Sequence, residues 1–357
     1  MLAVSDQETF TGRKFLSKVN MSQTRSHELF VQSRNAMGTI FTIYLYARDG
    51  IEAEAALEAA FEEIERVEEA FSNYRASSEL SRINRLAAQQ AVTTDPEMFA
   101  LLETAQAHGR RSDGAFDVTV GPLMRAWGFF RGEGRYPTNE ELRRARQIVG
   151  QDKMQLESAR RTVRFAVTGV ELDLGAIGKG YAVDRVVKVL SESGVEAALV
   201  DAGSSTLYAM NAPPGKNGWT VRVPKPEDRS QTISTVTLRN ESLSTSGVYE
   251  KFFQLNGRRY CHLMDPRDGI PVHGVLQTTL IASDSTTTDA LSNAMFVLGP
   301  EAGMKILATV PDARGLWILG EMESQRLVQW RWQDSAGDGS LTDLATALPK
   351  TKGQQTR

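Results

Sequence analysis

A glycine-rich segment from Asp173 to Ala182 has residue types that suit phosphate binding. An apolar run precedes its three glycines and a helical pattern follows them, which predicts a turn between a strand and a helix. Free N–H groups at a helix start favour anions, and Lys179 would add a positive charge beside them. The spacing fits neither a Walker A loop nor the GxGxxG fingerprint. The segment therefore predicts either an anion-binding turn or a tight structural turn with an exposed lysine.

Oxygen-bearing side chains are concentrated in a second segment, from Asp284 to Asn293. Mg²⁺ prefers oxygen ligands, and one or two carboxylates completed by phosphate oxygens often suffice. On a helix that begins near Thr288, Asp289 and Asn293 lie one turn apart on the same face. The segment is consistent with a magnesium site. The alternative is that Asp289 is a first-turn acid that complements the dipole of its own helix.

Two further segments have side chains suited to catalysis or to flavin contact. His262 precedes a run rich in turn-forming residues, from Leu263 to Pro271. Such a histidine is either a hydrogen-bonded structural residue on a strand or, in a cleft, a base near neutral pH. The aromatic residues between Gly114 and Phe129 would serve equally well in a core or as the flat apolar walls that a flavin needs.

The elements around these segments alternate between strand runs and helix runs, which predicts an α+β fold. Two strands are expected from Leu29 to Ala47, broken near Met37 and Gly38, and further strands from Val163 to Leu174, from Ala197 to Asp201 and from Trp219 to Ala282. Apolar spacing predicts a helix from Asp49 to Phe71 and another from Ser77 to Leu86. Start signals predict one helix that opens at Thr94 to Glu97 and a short one that opens at the capping box of Thr138 and Glu141. Further helices are expected from the glycine-rich turn to Ser193, from Thr288 to Leu298 and from Glu301 to Ala308. A strand is expected from Gly315 to Gly320.

Composition and length limit the classes of protein that are consistent with the chain. The 357 residues, 41% of them hydrophobic, suffice for one large folded domain at 28–332, with a disordered segment at 1–27 and a mobile polar tail at 333–357. A net charge of −3 with interspersed signs argues against a nucleic-acid partner. The single cysteine, Cys261, allows no intrachain disulfide, and no run is apolar for long enough to span a membrane. Without a visible signal peptide or lipidated cysteine, we expect a cytoplasmic location.

Taken in order, these segments resemble the ApbE family, the FAD:protein FMN transferases. The resemblance spans about Met37 to Gly320. The motifs that carry it, besides the four segments above, are Met37 to Thr39, Phe71 to Tyr74 and Ser78 to Asn84. Each is modest, but their ordered combination is specific. The resemblance implies an ApbE-like, T-fold-like arrangement of largely antiparallel sheets with packed helices and an FAD cleft between two joined lobes.

The family's activity implies the substrates and the roles of individual residues. Its members transfer FMN from FAD to a protein hydroxyl, usually that of a threonine, and release AMP. Matching positions imply FAD contacts at Met37, Tyr74, Ala115, Phe116, Asp117, Asp173, Lys179 and His262. They also imply a Mg²⁺ site formed by the carbonyl of Ala176 with Asp289, Ser292 and Asn293. His262 and Asp289 are then the candidate catalytic residues.

The chain departs from the family pattern at two places. Asn293 stands where the family usually has threonine, and the segment from Asp201 to Ser205 replaces the common Asn-Ala-Gly-Gly-Asp. Many relatives are exported as well. Two other functions therefore remain open: an FAD pyrophosphatase, in which water replaces the acceptor hydroxyl, and an FAD-binding protein without turnover. A nicotinamide dehydrogenase is disfavoured because no dinucleotide fingerprint follows a first strand.

Overall fold

The computed structural model describes residues 27–130 and 134–335. Residues 1–26 of the expected disordered segment and residues 336–357 of the expected mobile tail lie outside these ranges. The strands within them are β1 (Glu28–Ala36), β2 (Thr39–Ala47), β3 (Val92–Thr93), β4 (Met154–Glu157), β5 (Thr162–Phe165), β6 (Ala197–Ala202), β7 (Thr206–Met210), β8 (Trp219–Pro224), β9 (Thr232–Leu238), β10 (Glu241–Gly247), β11 (Phe252–Leu255), β12 (Arg258–Cys261), β13 (Met264–Asp265), β14 (Ile270–Pro271), β15 (Val275–Ala282), β16 (Arg314–Glu321) and β17 (Ser324–Trp330). The α-helices are α1 (Gly50–Phe71), α2 (Glu79–Leu86), α3 (Pro96–Arg111), α4 (Gly121–Ala126), α5 (Asn139–Ile148), α6 (Gly178–Glu192) and α7 (Ser285–Leu307).

One eight-stranded sheet organises the molecule, in the order β1-β2-β6-β7-β10-β15-β16-β17, and every neighbouring pair is antiparallel. Helices α1, α6 and α7 bury their apolar faces against one side of it, where Phe41, Ile43 and Val200 point. The β8–β9 ribbon covers part of the other side, where Trp219 and Leu199 belong to the same buried apolar cluster. The predicted α+β class with largely antiparallel sheets is confirmed.

Local sequence signals explain several element boundaries. The Asp49 side chain accepts hydrogen bonds from the backbone N–H groups of Ile51 and Glu52 at 2.9 and 3.0 Å, which caps α1 as expected. The capping box of Thr138 and Glu141 is present at the start of α5. Met37 and Gly38, both with positive φ, form the turn that links β1 to β2.

Other boundaries differ from the sequence-based expectation. Only β5 forms a strand within the run predicted from Val163 to Leu174, and an isolated parallel bridge at Glu171 follows it. Helix α7 begins at Ser285 rather than at Thr288, because Asp284 caps it. The two helices expected there form one element that is kinked at Gly299, where φ is +70°.

Five elements were not predicted: α4, β3, β4, β7 and β17. Strand β17 lies at the edge of the large sheet and is polar along most of its length, so it lacks the alternation that identifies half-buried strands. Among the described residues, no helix combines the length and apolar character needed to cross a membrane.

Candidate functional site

Helices α6 and α7 meet at their N-terminal ends, which brings the glycine-rich turn and the second predicted segment together. The backbone N–H of Gly180 donates to Asp289 Oδ2 at 2.9 Å. A Cβ atom at Gly180 would lie 2.1 Å from the carbonyl oxygen of Ser285. Only glycine therefore allows this approach of the two helices, and at this position it serves helix packing rather than room for a ligand.

The structure corrects the alternative interpretation of Asp289. This residue lies in the second turn of α7 and is not a first-turn acid of its own helix. Its carboxylate instead accepts from the first turn of α6, so the favourable helix end is that of the neighbouring helix. A buried carboxylate requires donors on its oxygens, and Thr206 Oγ1 supplies a second one to Asp289 Oδ1 at 3.2 Å.

The Lys179 ammonium completes the surroundings of this carboxylate. Its Nζ lies 3.7 Å from Asp289 Oδ1 and donates to the carbonyl of Gly175 at 3.3 Å. Burial by itself lowers the pKa of Lys179, but the charges of Asp289, Glu250 and Asp173 outweigh burial and raise the pKa above its ordinary value. Lys179 is therefore a half-buried, charged group, not the exposed lysine of the structural alternative.

Asp173 is held at the end of the segment that enters the turn. Its carboxylate accepts from the backbone N–H of Gly175 at 2.8 Å, and burial raises its pKa. The Asn84 side chain bonds both the N–H and the carbonyl of Leu172, at 2.8 and 3.0 Å. Asn84 therefore fixes the backbone segment that carries Asp173, which gives the motif from Ser78 to Asn84 a structural role.

Tyr74 is exposed to solvent on a turn near Asp173. Its side chain is 77% exposed, and Ser72 Oγ accepts from the backbone N–H of Tyr74 at 3.1 Å. Partial desolvation and then the nearby charge of Asp173 raise the pKa of Tyr74. An exposed aromatic ring on a fixed turn is suited to stacking on a planar ligand.

Met37 reaches the same region from the β1–β2 turn. Its backbone φ is +50°, and its methyl group lies 3.5 Å from the position that a Cβ of Gly178 would occupy. Met37 therefore lies beside the start of α6.

His262 follows β12 directly rather than lying within a strand. Its Nδ1 is 3.1 Å from the carbonyl oxygen of Lys251. A carbonyl only accepts, so Nδ1 carries the proton and Nε2 keeps a lone pair. Burial, followed by the charges of Lys251 and Lys179, lowers the pKa of His262 to about 4. The ring is neutral at pH 7, and the charge of Lys179 contributes to its lowered pKa.

The segment around Asp117 is tied to the site through its backbone. The carbonyl of Val118 accepts from the N–H of Asp173 at 2.7 Å. The side chains of Ala115 and Phe116 are buried. The carboxylate of Asp117 accepts from Thr119 at 2.7 Å, and burial raises its pKa.

A cavity of about 480 Å³ lies beside this segment. Its lining includes Asp117, Gln151, Arg146 and Arg267.

Among the aromatic residues between Gly114 and Phe129, Trp127 is fully buried. It stacks on Tyr260 with the ring centres 5.7 Å apart, as a core residue does.

The expected metal ligands lie on both sides of the α6–α7 junction. Asn293 Nδ2 is 2.7 Å from the carbonyl oxygen of Asp289 and 3.5 Å from that of Ala176. Both neighbours are acceptors, which fixes the amide orientation and leaves Oδ1 available to a ligand. A carboxylate, a carbonyl and an amide oxygen fit Mg²⁺, whose remaining ligands are commonly water and phosphate oxygens. The hydroxyl of Ser292 is already bonded, to Ser246 Oγ at 2.9 Å and to the carbonyl of Asp289 at 3.1 Å.

Sequence reasoning overlooked several residues that support the site. Asp184 of α6 accepts from the backbone N–H groups of Ser285 and Thr286 at 2.7 and 2.8 Å and so caps α7 from outside. Thr206 and Ser244 form a buried hydroxyl chain that reaches Asp289. The signal for this chain was a serine-rich strand in a buried position, which is unusual because strands favour β-branched and aromatic residues.

The fold and the site define an α+β protein with a carboxylate and an ammonium group where two helix starts meet. The model of the ApbE family matches residues 37–317, so the chain belongs to the ApbE family.

Relatives of known sequence and structure agree with this assignment. The chain is 31% identical over 295 residues to the FAD:protein FMN transferase of Klebsiella pneumoniae (strain 342), covering 82% of this chain and 90% of that protein. It is 33% identical over 298 residues to the Treponema pallidum (strain Nichols) protein of the same name, covering 79% and 82%. The crystal structure of the ApbE protein of Thermotoga maritima superposes with a TM-score of 0.78 at 32% identity, over 85% of this chain and 97% of that one. The flavin transferase ApbE of Vibrio cholerae gives a TM-score of 0.75 at 27% identity, over 85% and 97%. The predicted family and its transferase class are confirmed.

Proposed function

We propose that this chain transfers FMN from FAD to a threonine or serine hydroxyl of an acceptor protein, with Mg²⁺ bound, and releases AMP. The observation that best supports the proposal is the contact of Asp289 with Gly180 and Lys179. It places a carboxylate and an ammonium group at the start of a helix, where a diphosphate would bind. The family relationship supports the same activity.

At the phosphorus on the FMN side, the reaction forms one bond and breaks one. The acceptor oxygen bonds to the phosphorus on the FMN side, and the bond from that phosphorus to the bridging oxygen breaks. AMP leaves with the bridging oxygen, and the hydroxyl proton passes to a base. His262 Nε2 is suited to this role because the ring is neutral and its Nδ1 proton is held by the carbonyl of Lys251.

Charge on the phosphates is balanced by groups on both sides of the helix junction. Asp289, the carbonyl of Ala176 and Asn293 Oδ1 would hold Mg²⁺, with Ser292 beside them. When bound, the ion acts as a Lewis acid on phosphate oxygens. Lys179 adds a fixed positive charge from the chain itself, since its raised pKa keeps it protonated.

The flavin end is assigned to Tyr74 and Met37, whose side chains lie at the rim of the same site. Asp173 begins the glycine-rich segment, and its charge acts on Tyr74. We propose that the segment from Ala115 to Asp117 lines the remainder of the FAD site. Because the Ala115 and Phe116 side chains are buried, we expect that contact through the backbone.

The decisive experiment compares Asp289→Ala with Asp95→Ala. Asp95 is an exposed acidic control because it precedes α3 and makes no side-chain capping bond. Each variant is incubated with FAD and Mg²⁺, with and without a threonine-containing acceptor protein, and the products are separated by mass spectrometry.

Three outcomes distinguish the functions that the sequence left open. FMN-labelled acceptor from the unsubstituted chain and from Asp95→Ala, with none from Asp289→Ala, supports transfer. Free FMN formed equally well without acceptor indicates a pyrophosphatase. Bound FAD that stays intact indicates a protein without turnover.

The cytoplasmic location stays a prediction, which cell fractionation tests.

A further inference from the structure

A chain of buried hydroxyl groups ends on the Asp289 carboxylate. Thr206 Oγ1 donates to Asp289 Oδ1 at 3.2 Å, and Ser244 Oγ donates to Thr206 Oγ1 at 3.1 Å. Ser244 Oγ also lies 2.8 Å from Thr288 Oγ1, which is 2.7 Å from Ser242 Oγ. Thr206, Ser242, Ser244 and Thr288 all have 0% exposure, so water does not reach these groups.

The composition of β10 makes this chain notable. Its buried residues Ser242, Ser244 and Ser246 all bond to hydroxyl groups, with Ser246 reaching Ser292 of α7, where strands usually carry valine or isoleucine. Buried hydroxyls lower stability unless they are hydrogen-bonded. A carboxylate accepts but does not donate, so Thr206 gives its single proton to Asp289 and acts only as an acceptor towards Ser244. The direction of the hydrogen bonds is therefore set by Asp289.

From this geometry we infer that Thr206, supported by Ser244, is a positioning residue for the metal-binding carboxylate; the inference depends on the proposed function. Gly180 holds one oxygen of Asp289 and Thr206 holds the other, so the carboxylate cannot rotate freely. Partners that orient a metal-binding carboxylate commonly change metal affinity by about 10–100-fold when they are removed.

The test is to titrate the full chain with Mn²⁺ alone, using the electron paramagnetic resonance signal of free Mn²⁺ to determine the dissociation constant. Thr206→Val removes the donor at nearly constant volume, and Thr206→Ser restores it. Thr279→Val is the matched control, because Thr279 is an equally buried threonine of the same sheet that bonds Thr245 at 3.0 Å and has no bond to Asp289.

We expect Thr206→Val to weaken Mn²⁺ binding about 10–100-fold, with Thr206→Ser and Thr279→Val close to the unsubstituted chain. Equal binding by Thr206→Val and Thr279→Val would overturn the positioning role, as would failure of Thr206→Ser to rescue. If Thr206→Val does not fold, Ser244→Ala is used instead, and a Mn²⁺ affinity unchanged in that variant also overturns the inference. Absence of Mn²⁺ binding to the unsubstituted chain would instead contradict the metal site of the proposed function.

Discussion

The backbone N–H of Gly180 and the carboxylate of Asp289 are hydrogen-bonded at 2.9 Å although 109 residues separate them in the sequence. This contact joins the starts of α6 and α7, and Lys179 lies beside it. Two segments that suggested a phosphate site and a metal site separately thus form a single site. The predictions that follow test the groups around this contact.

Tyr74 is expected to bind the flavin ring. Its side chain is 77% exposed on a turn fixed by Ser72, so its replacement should disturb binding more than folding. Tyr74→Ala should weaken FAD binding by about tenfold, equivalent to about 1.4 kcal/mol, while Tyr74→Phe should retain most of it. Fluorescence titration with FAD measures both. Equal affinities of Tyr74→Ala and the unsubstituted chain would exclude this contact.

His262 is expected to act as the base for the acceptor hydroxyl. His262→Gln should lower the rate of transfer by about 10²–10⁴-fold. Because the pKa of His262 is lowered to about 4, transfer should not decline as pH falls through 6.5. Stopped assays of FMN-labelled acceptor between pH 4.5 and 8 give both results.

The control for His262 is His273→Gln, which changes an exposed histidine that packs against Tyr260 with ring centres 5.8 Å apart. Transfer by this variant should match the unsubstituted chain. A His262→Gln variant that is as active as the His273→Gln variant would show that another group accepts the proton.

Ser204 is expected to reduce stability through its backbone conformation. Its φ is +58°, a region that glycine adopts without steric penalty, and its N–H donates to Asp201 at 2.7 Å. Ser204→Gly should therefore raise the free energy of unfolding by about 1 kcal/mol, whereas Ser204→Ala should not. Urea denaturation measures the difference. If the glycine variant is no more stable than the alanine variant, the strain at this residue is negligible.

The buried ring of His108 should make stability depend on pH. Its Nδ1 has no hydrogen-bond partner among the described residues, and burial and then Arg111 lower its pKa from 6.5 to about 4. The unfolded chain thus binds a proton below pH 6.5 that the folded chain binds only near pH 4. Stability from this group is complete above pH 6.5 and falls on acidification, by about 2 kcal/mol between pH 7.5 and 5.

The His108→Leu variant isolates this contribution, because it keeps an apolar volume and does not titrate. Denaturation at pH 7.5 and at pH 5 should show a smaller loss of stability for the variant than for the unsubstituted chain. Identical losses would mean that His108 does not contribute to the pH dependence. His262 has a similarly lowered pKa and should account for part of the loss that remains.

Elements with local signals were predictable from the sequence. The helix that begins after Asp49 and the capping box at Thr138 depend on residues three or four positions apart, and both are present. The start of α7 was placed three residues late. The local cap Asp284 was overlooked, and the N–H groups of Ser285 and Thr286 are bonded by Asp184, which is distant in sequence. A single sequence does not reveal such a contact.

The same distinction applies to the site. The types and spacing of residues in the glycine-rich turn and at Asp289 suggested phosphate and metal chemistry, but the family resemblance was needed to combine them. Thr206 and Ser244 were overlooked because the serine-rich run of β10 was the one signal, and it does not show that the sheet places these residues next to Asp289. Buried polar chains depend on tertiary packing and lack a short motif.

A crystal of the full chain grown with FAD and Mn²⁺ tests the central claim most directly, through the anomalous scattering of the metal. We expect one Mn²⁺ peak about 2.1 Å from an Asp289 oxygen and from the carbonyl oxygen of Ala176, in contact with the FAD diphosphate. A nucleotide bound elsewhere, with no metal at the α6–α7 junction, would contradict the account.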